Sequence, residues 1–250
     1  MKRLFSLLCL WLLTAAADPI LVPEVSQHEV EVRQGFTGTE LLLYGAILDP
    51  SGIRAGRDYD IVVILKGPTR SIVVREKKRL AGIWVNGSSN EYRSAPGYYA
   101  VASSRPIEKI VDARTAAIYE MGLPSLQLSP IGTIDPAKQR RFSDGLVSIM
   151  GKDGLYQQND GSVTISEQVL YQARIRLPSS VPVGDYTAET LAVSRGRVVA
   201  SATAHVTVHK RGFERAIADF AEGYGLLYGL LAVFVAVGMG LAAGRIFSRF

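Results

Sequence analysis

Apolar residues along this chain follow several rhythms, and each rhythm predicts a different kind of element. Val30 and Val32 alternate with Glu29, Glu31 and Arg33, the period of a half-exposed strand. Leu41 to Leu48 and Ile61 to Leu65 are short continuous apolar runs, which predict buried strands. Asp49-Pro50-Ser51-Gly52 and Lys66-Gly67-Pro68 carry turn chemistry after them. Ile72 to Val74, Ile83 to Val85 and Tyr98 to Ala102 supply further strand candidates. A second β stretch runs from about 163 to 209. Within it Val169 to Leu177 precedes Pro178, and Tyr186 to Val193 faces Val198 to His209 across Ser194-Arg195-Gly196-Arg197. In that last strand Val198, Ala200, Ala202, Ala204, Val206 and Val208 share one face. Val199, Ser201, Thr203, His205, Thr207 and His209 share the other, as in a sheet with one buried side.

Between the β stretches the period lengthens. Ser104 can cap a helix beginning at Pro106, with Gly122 past its end and Pro124 beyond. Asp135 can cap a second helix with Pro136 in its first position, and Phe142, Leu146, Ile149 and Met150 follow at helical spacing to Gly151. The pattern predicts a mainly β fold, an immunoglobulin-like β-sandwich over residues 18–211 with a helical insertion at about 105–151. One large sandwich and two small ones are equally compatible with it.

The two ends carry the longest apolar runs. From Tyr224 to Ala243 no charge occurs, and twenty helical residues span roughly 30 Å, the thickness of a bilayer's hydrocarbon core. A transmembrane helix is expected at 224–244, with a cytoplasmic tail at 245–250. At the other end Lys2 and Arg3 precede Leu4 to Leu13 and the small residues Ala15-Ala16-Ala17, the pattern of a cleaved signal peptide over 1–17. Cys9 falls inside that stretch and reads as a small hydrophobe. With Arg245 and Arg249 retained inside, the large domain lies outside, in a bacterial periplasm. Tyr224 and Tyr228 then mark the outer interface and Phe247 the inner one. The segment 212–223 has Phe213, Ile217 and Phe220 at i, i+4, i+7 against Glu214, Arg215, Asp219 and Glu222. It reads equally as an amphipathic helix on the membrane boundary or as an extension of the span.

Topology changes the meaning of the charge. The chain has 28 basic and 23 acidic residues, a net of +5. Lys2, Arg3, Arg245 and Arg249 lie in the end segments, which leaves 24 basic against 23 acidic in the exported part. The basic balance thus reflects targeting, and no nucleic acid partner is expected. The single cysteine belongs to the leader, so the mature domain has no disulfide and no cysteine-based metal or nucleophile. On this reading Asn86-Gly87-Ser88 is a turn rather than a glycan acceptor.

Catalytic signatures are sparse. No His-Glu-x-x-His and no Gly-x-Ser-x-Gly occur. His205 and His209 fall on a strand, roughly 13 Å apart, too far to share one ion. His28 stands alone in sequence. Gly145 to Lys152 departs from a phosphate loop in spacing, and Asp153 stands where Ser or Thr is needed. Asp58 and Asp60 read as turn and strand-start residues. No catalytic residue, metal or cofactor is expected.

Two groups remain as contact candidates. Arg75, Lys77, Lys78 and Arg79 precede Trp84. They read as a solvated edge strand before a core tryptophan, or as a contact for an anion, a lipid headgroup or an acidic partner. In the apolar helix Gly225, Gly229, Ala232, Ala236, Gly240 and Ala243 recur every three or four residues. At 100° per residue they share an arc of about 80°, and Gly225/Gly229 and Gly240/Gly244 are Gly-x-x-x-Gly pairs. Such a face admits a second helix closely.

Several segments together resemble a known family. They include Phe36-Thr37-Gly38, Tyr44-Gly45-Ala46, Lys66-Gly67-Pro68 and Arg75 to Arg79 leading into Gly82-Ile83-Trp84-Val85-Asn86. Ser103-Ser104-Arg105-Pro106, Leu177-Pro178 and Val181-Pro182-Val183-Gly184-Asp185-Tyr186 continue the series. Lys210-Arg211-Gly212-Phe213-Glu214 and Tyr228-Gly229-Leu230 end it. In this order they resemble the alphaproteobacterial transmembrane proteins of uncharacterised function. The resemblance implies a bacterial inner membrane and an accessory role beside sulfite-exporter-type permeases, and it brings no catalytic residue. The expectation is therefore a non-enzymatic, inner-membrane-anchored binding protein that assists a multi-pass transporter or pairs with a second copy. A membrane-tethered hydrolase and a structural cell-envelope module are the alternatives.

Overall fold

The computed structural model describes residues 19–32, 38–48, 59–132, 135–167, 169–210, 217 and 220–247. The leader, the turn at 49–52, Asp58 and most of the segment 212–223 lie outside the described residues. The chain divides into two compact units, one of residues 1–30 and 37–208 and one of residues 31–36 and 209–250.

The first unit holds nearly all the strands. β1 (Ile20–Val25), β3 (Thr39–Leu48), β10 (Thr164–Ser166) and β11 (Leu170–Leu177) form a four-stranded antiparallel sheet in the order β1-β3-β11-β10. The six-stranded sheet takes β2 (Glu29–Val32), β4 (Asp60–Lys66), β7 (Tyr99–Ser103), β9 (Tyr156–Asp160), β12 (Gly184–Ser194) and β13 (Arg197–Lys210). Its order is β2-β13-β12-β4-β7-β9. Strands from the two sequence stretches pair with each other in both sheets, as β3 with β11 and β4 with β12. One β domain is therefore built, because each of these two sheets takes strands from both stretches.

The two sheets meet through their apolar faces. On β11 Tyr171, Ala173, Ile175 and Leu177 are buried, while Gln172, Arg174 and Arg176 are exposed. Each large inward side chain contributes about 1.5–3 kcal/mol of burial free energy. Tyr171 crosses to the six-stranded sheet, where its hydroxyl lies 3.4 Å from Thr190 Oγ1. Its ring passes over the cross-strand Gly45. A Cβ there would stand 2.3 Å from the Val22 carbonyl oxygen and 2.5 Å from the Tyr171 hydroxyl, so only glycine fits. Contrary to the continuous apolar run, β3 is buried on one face only, with Tyr44 and Leu48 exposed. The run Ile61 to Leu65 on β4 is fully buried, as expected, because both faces of that strand are covered.

Helical segments lie on the second face of the six-stranded sheet. Two short helices, α1 (Ile107–Ile110) and α2 (Ala113–Ile118), replace the single helix expected after Ser104. Val111 is extended (φ −137°), and Asp112 starts α2 anew by accepting from the Thr115 N–H. Ser104 donates to Asp60 instead of capping. α3 (Pro136–Lys152) begins as expected, with Asp135 accepting from Ala137 N–H and Pro136 in the first turn. Phe142, Leu146 and Met150 are buried, but Ile149 is 53% exposed and lies off the core face. β9 was not expected at all. It pairs parallel to β7, and Tyr156 meets Tyr99 edge-on at 6.2 Å.

β5 (Thr69–Leu80) and β6 (Ile83–Pro96) form a separate antiparallel ribbon, joined at its base by the two-residue β8 (Ser129–Pro130). Ala81 (φ +47°) and Gly82 (φ +85°) make the turn, as a type I′ connection requires. Asn86-Gly87-Ser88, expected as a turn, lies instead within β6. The register shifts between Arg70 and Ile72 and again between Arg75 and Lys77, each time with the extra residue on β6.

The second unit contains α4 (Gly225–Phe247), whose candidate span Gly225–Arg245 has mean hydropathy 2.3 and no buried residues. Backbone bonds from Tyr224 N–H to Phe220 and from Tyr228 N–H to Tyr224 carry the helical geometry back to Phe220. Phe220 packs against Tyr224 at 5.8 Å and Tyr228 at 6.4 Å, an aromatic cluster at one end of the apolar run.

Candidate functional site

The ribbon β5–β6 gathers the cationic and aromatic residues singled out in the sequence. Its base is fixed. The Tyr92 hydroxyl lies 2.9 Å from Ser143 Oγ on α3, and Arg141 Nη2 donates to Glu76 Oε2 at 3.2 Å. The Ser88 hydroxyl donates to the same oxygen at 2.8 Å. That bond, working against partial desolvation and aided by Arg141 and Lys78, holds the Glu76 carboxyl below its usual range. Val74, Arg75, Phe142, Gly145 and Ile149 line a cavity of about 180 Å³ between the ribbon base and α3.

Beyond this brace the ribbon has no partner strand among the described residues. Lys77, Lys78 and Arg79 are all exposed, and none of the ion pairs among the described residues engages them. Trp84 is 65% exposed, so the core position expected for it is not realised. Leu80 and Ile83 flank the turn, each 68% exposed. Cross-strand pairing places Leu80 opposite Ile83, Arg79 opposite Trp84, Lys78 opposite Val85 and Lys77 opposite Asn86. One ribbon face therefore carries Leu80, Ile83, Val85 and Lys78, and the other carries Trp84, Arg79 and Lys77. Sequence reasoning named the cations and Trp84 but missed Leu80 and Ile83. Their signal was an apolar pair bracketing Ala81-Gly82, where turns are ordinarily polar.

The remaining polar groups lie on the body of the β domain, away from the ribbon tip. Arg105 grips Asp60 with both Nε, at 2.7 Å, and Nη2, and Ser104 Oγ donates to the same carboxylate at 2.9 Å. Burial pushes the Asp60 carboxyl up, but Arg105 and Ser104 together outweigh it and hold it below the usual range. Lys66 pairs with Glu120, and the Tyr99 hydroxyl donates to the Glu120 carbonyl while accepting from Gly122 N–H at 3.0 Å. Burial pushes the phenols of Tyr98, Tyr99, Tyr156 and Tyr186 well above their ordinary value of 10.0. They stay protonated as hydrogen-bond donors, the opposite of an activated nucleophile. His28 is not isolated, since its Nε2 lies 3.1 Å from Glu24 Oε1. His205 is exposed on β13, and the described residues contain no group of three metal-ligating side chains.

Gly225, Gly229, Ala232, Ala236, Gly240 and Ala243 all lie in α4 and are exposed. In the first unit two of the family-like segments meet: a Cβ on Gly67 would stand 2.8 Å from the Tyr186 ring, whose hydroxyl donates to the Pro182 carbonyl at 2.6 Å. No curated protein matches the chain. A family model does, the one described as "Putative transmembrane protein (Alph_Pro_TM)", and it matches residues 20–249. That range takes in the β domain, the ribbon and the one candidate membrane helix among the described residues, and the chain belongs to this alphaproteobacterial transmembrane protein family.

Proposed function

We propose that this protein is a single-pass, non-enzymatic accessory protein of the bacterial inner membrane. In this reading its β domain faces the periplasm, its C-terminus is cytoplasmic, and it binds or organises a multi-pass transporter. The observation that carries the reading is α4. It is apolar from Gly225 to Gly244, its candidate span has no buried residues, and its six small residues form one stripe. Within a bilayer a smooth stripe lets a neighbouring helix approach closely and gain dispersion contacts. The aromatic cluster Phe220, Tyr224 and Tyr228 suits the outer interface, and Arg245 the inner side. The exposed cations and Trp84 of the ribbon supply a second contact on the periplasmic side.

An immunoglobulin-like sandwich plan for the β domain is part of the same proposal. Tyr186 sits at the start of β12 and bonds back to Pro182, the geometry of a tyrosine corner. The parallel β7–β9 pair and the helices on the second face are additions to that plan.

In-cell crosslinking, followed by mild detergent purification and mass spectrometry, tests the reading. A permease should accompany the full-length protein, and replacing α4 by an unrelated apolar helix should release it. Gly229→Leu with Gly240→Leu should weaken the association while leaving the β domain folded. Self-crosslinks alone would replace the transporter by a second copy of the chain.

A further inference from the structure

The ribbon tip has a composition that water does not favour and that its own fold does not hide. Leu80, Ile83 and Trp84 are each about two-thirds exposed, at 68%, 68% and 65%. They surround a two-residue turn at which a side chain on Gly82 would meet nothing within 4 Å. Immediately behind them stand Lys77, Lys78 and Arg79. From Lys77 to Asn90 the chain has no acidic residue. The acids at either border are occupied, Glu76 by Ser88 and Arg141 and Glu91 by Ser71.

We propose that the β5–β6 tip inserts into the headgroup region of an anionic bilayer, with Leu80, Ile83 and Trp84 entering first and Lys77, Lys78 and Arg79 pairing with lipid phosphates. The dimensions agree. At about 3.3 Å per residue the cations lie roughly 3–10 Å behind the tip. Interfacial elements bury their apolar side about 5–10 Å deep, so the cations come level with the phosphates. Tryptophan is the side chain best suited to that boundary, with an apolar ring and one N–H donor. Charge complementarity selects anionic over neutral lipid.

The inference rests on the membrane-anchored reading above, because α4 supplies the bilayer. The chain leaves β13 at Lys210 and enters α4 at Gly225. The fourteen intervening residues reach at most about 50 Å. A tip on so short a tether samples the surface at an effective concentration on the order of millimolar. Weak lipid affinity is then sufficient to hold it there.

The test uses the full chain reconstituted in phosphatidylcholine vesicles with or without phosphatidylglycerol, the acyl chains carrying bromine to quench tryptophan. The chain has two tryptophans, Trp11 and Trp84. Subtracting the Trp84→Phe variant isolates the Trp84 signal, and vesicle flotation reports the anchor separately. Trp84 should be blue-shifted and quenched in phosphatidylglycerol vesicles, and less so in neutral ones. The triple variant Lys77→Ala, Lys78→Ala, Arg79→Ala should lower the insertion equilibrium on the order of 100-fold, about fivefold per cation. Unquenched Trp84 in protein that floats overturns the tip proposal and leaves the anchor standing. Equal quenching in neutral vesicles overturns its anionic preference. Failure to float overturns the anchored reading, and the tip proposal with it.

Discussion

The molecule contains two long hairpins built on the same turn and put to opposite uses. β5–β6 turns through Ala81 and Gly82, and β12–β13 turns through Arg195 (φ +50°) and Gly196 (φ +79°). In β12–β13 the apolar residues lie along the shaft, where Leu191, Ala192 and Val193 are buried, and the turn is polar. In β5–β6 the distal shaft is polar and the turn is flanked by Leu80, Ile83 and Trp84. The backbone solution is common to both. Where the apolar residues sit decides whether a hairpin becomes core or projects from it.

The difference can be broken most strongly at one side chain in each hairpin. Leu191→Ala removes a fully buried side chain from the six-stranded sheet and should cost about 2–5 kcal/mol in chemical denaturation. Ile83→Ala, at the ribbon tip, should stay within about 0.5 kcal/mol. An equal cost would mean that the tip is packed in solution.

The turns give a smaller effect. Gly196→Val and Gly82→Val each force a β-branched residue into the left-handed region at about 1–3 kcal/mol. Only the first should lower the global denaturation midpoint, because β12–β13 unfolds with the sheet. The second should appear as faster amide exchange confined to residues near the tip.

Acid should separate the regions most gently. Asp60 and Glu76 both titrate below their ordinary values of 3.8 and 4.5. Their stabilisation is complete above those values and is lost as pH falls through the lower folded-state values. The wild-type midpoint should therefore drop below about pH 4, and less steeply in Asp60→Asn, by an amount of about 1 kcal/mol or less after solvent screening. Glu76→Gln should leave that global slope intact and loosen only the ribbon base, seen as exchange at residues 74–90.

The β12–β13 hairpin was legible because burial on β13 follows a period of two from Ala200 to Val208. α3 was legible because Asp135-Pro136 is a start signal and Phe142, Leu146 and Met150 keep helical spacing. β9 left no trace, since Gln157, Gln158 and Asn159 carry no apolar rhythm and its partner β7 lies over fifty residues upstream. The α1–α2 break was hidden because Asp112 is an ordinary polar residue until its side chain caps Thr115 N–H. The ribbon was half legible. Ile72–Val74 and Ile83–Val85 were visible strands, but a two-stranded projection has no buried face to impose a period on residues 75–79 and 86–90. The usual expectation that an aromatic is core therefore misplaced Trp84.

The two register shifts in the ribbon bear on how readily its edges can pair with the same ribbon of another copy. A strand pair of this length, with open backbone along its distal edges and apolar residues at its end, is a template on which other chains can stack. Both shifts insert their extra residue in β6, and such insertions bend the strand and tighten its right-handed twist. A coiled edge offers an incoming strand only a few aligned donors and acceptors before it veers away. The charges of Lys77, Lys78 and Arg79 repel the same segment on an identical neighbour. Leu80, Ile83 and Trp84 can thus stay in water without drawing the ribbon into edge-to-edge polymers.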